Sequence, residues 1–313
     1  MSMSTPNESP RQSRPPAGKM SPVHMLILIV GVLLSVASPA VLANSGPVLL
    51  GLTLLAGGLA LIIIGAAGLG RGIQAQSPMT PDDETDASAY PTRLVGQLDP
   101  ALSRWMWLLK WLLAIPHYIV LSILWIAFLV VTVAAGLVIL FTGRYPASLF
   151  QFTVGVLRWN WRVSFYAYGV LGTDHYPPFT LARTDYPAEF DVAYPAKLSH
   201  WKVLVKSWLL ALPQLLIVAA LTGGVWASTD GSNTGSANGI SLLSLLVLIT
   251  ALILLFTGVY RLGLFNLLMG INRWIYRTIT YTALMRDDYP PFRLDQGPLE
   301  PPAERRDVGN VPL

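Results

Sequence analysis

The sequence predicts an all-α fold: a polytopic helical membrane protein with an internal duplication, each unit a transmembrane hairpin plus an interfacial amphipathic helix. Three observations carry this prediction. First, the 313 residues are 53% hydrophobic and only 12% charged, with a mean hydropathy of +0.53, where a soluble domain carries about 25% charged residues. Second, apolar runs recur at about the twenty-residue length that crosses a hydrocarbon core of roughly 30 Å. Third, two stretches spell nearly the same string, FTGRYPASLFQFTVGVLRWNWRVSFYAY from Phe141 and FTGVYRLGLFNLLMGINRWIYRTITYTAL from Phe256. Each follows a long apolar run and is closed by a Tyr-Pro-Pro-Phe turn, the mark of a repeated unit.

Residues 1–22 read as a disordered cytoplasmic tail, because Met1 to Lys19 is rich in Ser, Pro and Arg and holds too little apolar surface to offset the entropy of ordering. Residues 23–70 read as an N-terminal transmembrane hairpin. Val23 to Ala43 crosses once, Asn44 to Pro47 turns, and Val48 to Leu69 crosses back with Gly51, Gly57, Gly58, Gly65 and Gly68 allowing close helix approach. Val41-Leu42-Ala43 also offers the small residues that signal peptidase needs, so cleavage of the first segment stays open. Residues 71–89 form a polar linker carrying Asp82, Asp83, Glu84 and Asp86. The first repeat unit occupies 90–181, the second 182–294, and a disordered tail 295–313.

Within the first unit, Ser103 to Thr142 has few polar interruptions and would measure about 60 Å as one helix, twice the core thickness. The second unit keeps Lys206 to Pro213 against Lys110 to Pro116, then inserts Ser228 to Gly239 before resuming at Ile240. Insertions land most cheaply in exposed turns, so the first unit is expected to turn near Leu124 to Phe128. The alternative is an interfacial helix up to Ala114 followed by one span from His117 to Thr142. The 21 Lys and Arg residues lie in the tails, between the expected hairpins or in the first turns of spans, while Asn44 to Pro47 and Ser228 to Gly239 contain none. The positive-inside rule then puts both termini in the cytoplasm, with six spans in three hairpins across the plasma membrane.

The candidate site residues are four arginines spaced by four on two helices, Arg158 with Arg162 and Arg273 with Arg277. That spacing sets each pair on one helix face. In one reading they lie at the membrane surface and contact lipid phosphate or cap carbonyls. In the other they form an anion or lipid headgroup site between the repeats, for which forked guanidinium donors are suited. Gly143 and Gly258 read as left-handed helix ends. Pro116 with His117 and Pro213 with Gln214 read as kinks that could line a path.

Several chemistries lack support. With no cysteine and four scattered histidines there is no metal-ligand spacing, and no cofactor is expected. Adjacent Asp174 and His175 do not make a dyad, since neighbouring side chains rarely meet. No Asp or Glu lies inside an expected span, which argues against a coupled pump. Walker A, Gly-x-Ser-x-Gly and His-Glu-x-x-His motifs are absent, so no enzyme is expected. The net charge of +4 is spread along the flanks of the apolar runs, which does not suit nucleic acid.

From Tyr90 to Leu294 the strings LDPALSRWMWLLKWLLAIPHYIV, FTGRYPASLF, GVLRWNWRVSFYAYGVLGTDHYPPFTL and MRDDYPPFRLDQG closely resemble an uncharacterised family of bacterial membrane proteins, a domain of unknown function typical of high-GC Gram-positive bacteria. The resemblance implies a multi-pass plasma-membrane protein and brings no catalytic residue, cofactor or substrate. The chain departs from the pattern at Val259-Tyr260-Arg261, where the first unit has Arg144-Tyr145-Pro146. The function expected first is a non-enzymatic membrane scaffold or interaction protein with membrane-protein partners in the lipid bilayer. A passive transporter or channel between the repeats and an anionic-lipid binder using the paired arginines are the alternatives.

Overall fold

Small residues bring the first two helices into backbone contact. Helix α1 (Pro22–Ala43) runs beside α2 (Val48–Gln76), and a Cβ placed on Gly58 would sit 2.8 Å from both the Gly31 carbonyl oxygen and the Ser35 amide nitrogen. Such small-residue contacts hold helices together where lipid removes the hydrophobic drive between them. The computed structural model describes residues 21–43, 47–76, 90–223 and 241–299. The expected N-terminal tail to residue 20, the turn 44–46, the linker from 77, the inserted loop and the chain beyond 299 lie outside the described residues.

After the linker comes β1 (Thr92–Gly96), then α3 (Trp107–Leu113), α4 (Ile115–Thr142) and α5 (Ala147–Ala167). Strand β2 (Ala188–Val192) opens the second half. It is followed by α6 (His200–Val205), which continues as a π-helical turn over Lys206–Leu210, and by α7 (Leu212–Thr222), α8 (Leu242–Thr257) and α9 (Leu262–Thr282). Three helices, Pro22–Ala43, Val48–Ala75 and Ile115–Thr142, are long and apolar enough to cross a membrane.

Several expectations are corrected. The turn at Leu124 to Phe128 is not there: α4 is one helix of 28 residues, and the reading with a break at Ala114 is the one observed. Nothing between Leu121 and Phe128 caps or breaks a helix, and Leu121, Leu124, Ala127, Phe128 and Val131 form its packed stripe. Turning there would leave apolar, capless backbone unpaired, which lipid penalises by several kcal/mol per group. Pro116 does not kink a helix; it stands in the first turn of α4, as Pro213 does in α7, where the missing N–H is tolerated. The second half carries apolar helices of 11 and 16 residues where the first has one of 28.

The fold is mostly helical, as expected, and the second correction is that it is not helical throughout. Strands β1 and β2 pair antiparallel, Thr92 opposite Val192, Leu94 opposite Phe190 and Gly96 opposite Ala188. Both alternate buried and more open residues, the period of a half-buried strand. The third concerns the arginine helices. Helix α5 is buried at every residue from Leu149 to Ala167 except Asn160, so it is an interior helix rather than an interfacial one. Its polar side packs on β2 instead of facing water. The chain ends shift as well: α2 extends to Gln76, and 295–299 is held against the fold, with Gly96 donating to the Pro298 carbonyl at 3.2 Å.

The glycine corners are as expected. Gly143 ends α4 at φ 65° and Gly258 ends α8 at φ 69°, a conformation that side-chain-bearing residues adopt at a cost of about 1–2 kcal/mol. Two leucines adopt it too, Leu171 at φ 59° and Leu284 at φ 61°. Each lies just past an arginine helix, and the following amide bonds back to that helix, Gly172 to the Phe165 carbonyl at 2.9 Å and Met285 to the Thr280 carbonyl at 3.0 Å.

Candidate functional site

The four arginines occupy the centre of the fold. Their side chains are 0–2% exposed. Arg158 donates from Nε to the Phe190 carbonyl at 2.9 Å and from Nη1 to the Leu181 carbonyl at 2.9 Å, and pairs through Nη2 with Asp191 at 3.1 Å. One turn on, Arg162 reaches the Ala182 carbonyl at 2.9 Å and the Glu189 carboxylate at 3.0 Å. In the other half Arg273 donates from Nε to the Leu94 carbonyl at 3.0 Å and from Nη1 to the Asp295 carbonyl at 2.7 Å. Arg277 pairs with the Asp295 carboxylate and stacks on the Tyr90 ring.

Taking one guanidinium out of water costs several kcal/mol, which only good geometry and full pairing offset. Backbone carbonyls of the chain and nearby carboxylates supply most of that pairing, while the buried Arg162 Nε has no hydrogen-bond partner. An anion arriving at any of these arginines would have to displace the protein's own acceptors. The residues named from the sequence thus come together in two interior clusters joined through the β-ribbon.

A second kind of buried cation had no place in the sequence expectations. Lys110, 1% exposed, pairs with Asp174 at 2.8 Å and lies 5.4 Å from the Tyr166 ring centre. Lys206, also 1% exposed, pairs with Asp287 at 3.1 Å and lies 4.8 Å from the Tyr281 ring centre. The second oxygen of each carboxylate accepts a backbone amide, Ser103 to Asp174 at 2.6 Å and Ser199 to Asp287 at 2.7 Å. Burial pulls the Lys206 amine down to about 8, with Asp287 acting against it, and pulls Lys110 down against Asp174. The signal was present in the sequence: Lys, Ser and the Asp before Tyr-Pro-Pro-Phe recur at matching places in the two strings.

His117 and Gln214 sit in walls of aromatic side chains. Trp159 Nε1 donates to His117 Nδ1 at 3.0 Å, and the imidazole stacks on Phe179 at 3.9 Å between centroids. Trp274 Nε1 donates to Gln214 Oε1 at 2.7 Å, and Gln214 donates to the Pro290 carbonyl at 2.9 Å. Both side chains are fully buried. Asp174 and His175 point apart, His175 being open to solvent and 3.6 Å from Asp99. Among the described residues no group of three His, Asp or Glu side chains is placed to hold a metal ion.

Neither the curated proteins nor the solved structures contain a match to this chain. A family model does match, over residues 104–180 and 240–293. The first segment carries Lys110, His117, Arg158 and Arg162; the second carries Arg273, Arg277 and Asp287. Both strands of the ribbon fall outside it. What is found in this chain, in two segments, is a domain of unknown function, DUF4389.

Proposed function

We propose that this chain is an integral plasma-membrane protein acting as a non-enzymatic scaffold or interaction protein, assembled from two copies of one unit. The observation that supports the reading is the use made of its polar residues. Arg158, Arg162, Arg273, Arg277, Lys110, Lys206, His117 and Gln214 are all buried and serve to hold elements together, while Leu129, Val133, Leu137 and Phe141 of α4 stand exposed and suit lipid. His117 and Gln214, the polar residues at the two proline positions, are closed in by Trp159, Phe179 and Trp274, which disfavours a path between the halves. Duplication is supported by the matched pairings of Lys110 with Asp174 and Lys206 with Asp287.

The orientation proposed puts both termini on the cytoplasmic face, on the strength of the Arg and Lys in the first nineteen residues and between Arg286 and Arg306. Copurification in a mild detergent is the experiment. Specific membrane-protein partners, enriched over an unrelated polytopic protein, are expected. Background recovery alone, together with solute flux above that of empty vesicles, would replace the scaffold with a transporter.

A further inference from the structure

At the C-terminal end of α4, the corner Thr142–Arg144 lies against the segment Lys197–His200. Two hydrogen bonds lock them together: the Leu198 amide donates to the Gly143 carbonyl at 2.9 Å, and His200 Nδ1 donates to the Leu140 carbonyl at 2.7 Å. Between them is a cavity of about 370 Å³ lined by Thr142, Gly143, Arg144, Lys197, Leu198 and His200. That volume lies within the range of small-molecule sites, about 300–1,000 Å³.

The charge of this cavity is one-sided. Arg144, Lys197 and His200 converge on it from the two segments, and no carboxylate lines it. Neither Arg144 nor Lys197 has an acidic partner among the described residues. The carbonyl end of α4 contributes a partial negative charge of roughly half a unit, which two full cations exceed. With Nδ1 donating to Leu140, Nε2 of the neutral imidazole is an acceptor, so the donors a phosphate meets here are Arg144 and Lys197.

The surroundings are apolar. Phe141 and Trp201 flank the cavity, each 80% exposed, and tryptophan in this setting favours the headgroup level of a bilayer. Exposed Ile126, Leu129, Val133, Leu137 and Phe141 recur at three and four residue steps along α4. They form one stripe that leads to the corner.

We infer that this corner binds the phosphate of an anionic phospholipid, held by Arg144 and Lys197, with its acyl chains along the exposed stripe of α4. The site is distinct from the buried arginine clusters and does not rest on the scaffold reading. It is also single. At the matching corner Val259 stands where Arg144 does and Ala101 where Lys197 does, leaving Arg104, whose guanidinium overlies Gly258.

The test uses the full chain purified in detergent, with retained lipid counted by native mass spectrometry after exposure to phosphatidylglycerol or phosphatidylcholine. The unaltered protein is expected to retain phosphatidylglycerol preferentially. R144Q/K197Q is expected to lose about thirty-fold in retention, from two interfacial cations at about fivefold each. R104Q, at the other corner, is expected to retain it unchanged. All three positions are exposed, so a melting temperature within a few degrees of the parent keeps the comparison valid; the single variants R144Q and K197Q are then each expected to show an intermediate loss. Equal retention by the parent and R144Q/K197Q overturns the proposal. Displacement of the lipid by millimolar inorganic phosphate would assign the cavity to a free anion and overturn the lipid source.

Discussion

Leu94 and Phe190 face one another across the β-ribbon, and each presents its carbonyl to an arginine from a different helix, Leu94 to Arg273 and Phe190 to Arg158. The flanking bonds, Ala193 to Pro91 and Gln97 to Pro187, set the ladder so that Leu94 and Phe190 are a non-hydrogen-bonded pair. Their carbonyls therefore point to the two open edges of the ribbon. A two-stranded ribbon has only edges, and its unpaired groups must find partners. Each strand is thus clamped by the arginine helix of the opposite half, β1 by α9 and β2 by α5. The exchange is one tie between the halves, beside direct helix contacts such as the hydrogen bond from Asn160 to the Tyr276 hydroxyl at 2.7 Å.

Loss of a clamp should be costly. Arg158→Met and Arg273→Met leave buried carbonyls and, for Arg158, the carboxylates of Glu189 and Asp191 without their cation. Each is expected to destabilise the protein by about 3–5 kcal/mol. Arg183→Met removes the exposed partner of Asp191 and should cost under about 1 kcal/mol. Thermal melts in detergent rank the three.

The arginine spacing and the glycine corners were legible in the sequence because each follows from local chemistry: four residues make a helical turn, and a left-handed end favours glycine. What the arginines bind was not legible, since Leu94 and Phe190 are distant in sequence from the helices they meet. The strands were missed because Thr92-Arg-Leu-Val-Gly and Ala-Glu-Phe-Asp-Val are only five residues each and stand among proline-rich segments. The unbroken α4 was misread because the insertion after α7 was taken to mark a turn shared by both halves.

Glycine substitutions should separate conformation from space. Gly143→Ala and Gly258→Ala impose a side chain on left-handed backbone and are each expected to cost about 1–2 kcal/mol. Gly57→Ala, in α2 with nothing within 4 Å of the added methyl, is expected to stabilise by about 0.5–1 kcal/mol. Melting temperatures moving in the same direction for all three would speak against the assigned corners.

Stability should respond to alkaline pH through Lys206. Its folded-state value of about 8 lies below the ordinary 10.5, so between these values the unfolded chain binds more protons and stability rises with pH. The penalty of holding the charged amine is constant below pH 8 and is relieved as pH climbs to 10.5. Lys206→Met removes this rise. Melts of the two proteins from pH 7 to 10.5 should converge in slope only if Lys206 is not buried as described.

Cysteine accessibility bears on α4, and the absence of native cysteine makes it direct. Single cysteines at Leu124, Ile126 and Phe128 are expected to resist a water-soluble maleimide in intact membranes, because one continuous helix keeps them in the packed core or in lipid. A turn at these positions would make them reactive.

The exchanged ribbon itself is tested most directly by a disulfide. Thr92 and Val192 are opposed on the ladder in a non-hydrogen-bonded pair, where Cα atoms lie about 4.5 Å apart and a disulfide bridges without backbone movement. In the full chain, T92C/V192C is expected to oxidise to an intramolecular bond that joins two fragments after proteolysis between the halves, whereas the out-of-register pair T92C/F190C is not. Failure of T92C/V192C to cross-link, or equal cross-linking of both pairs, would contradict the strand exchange.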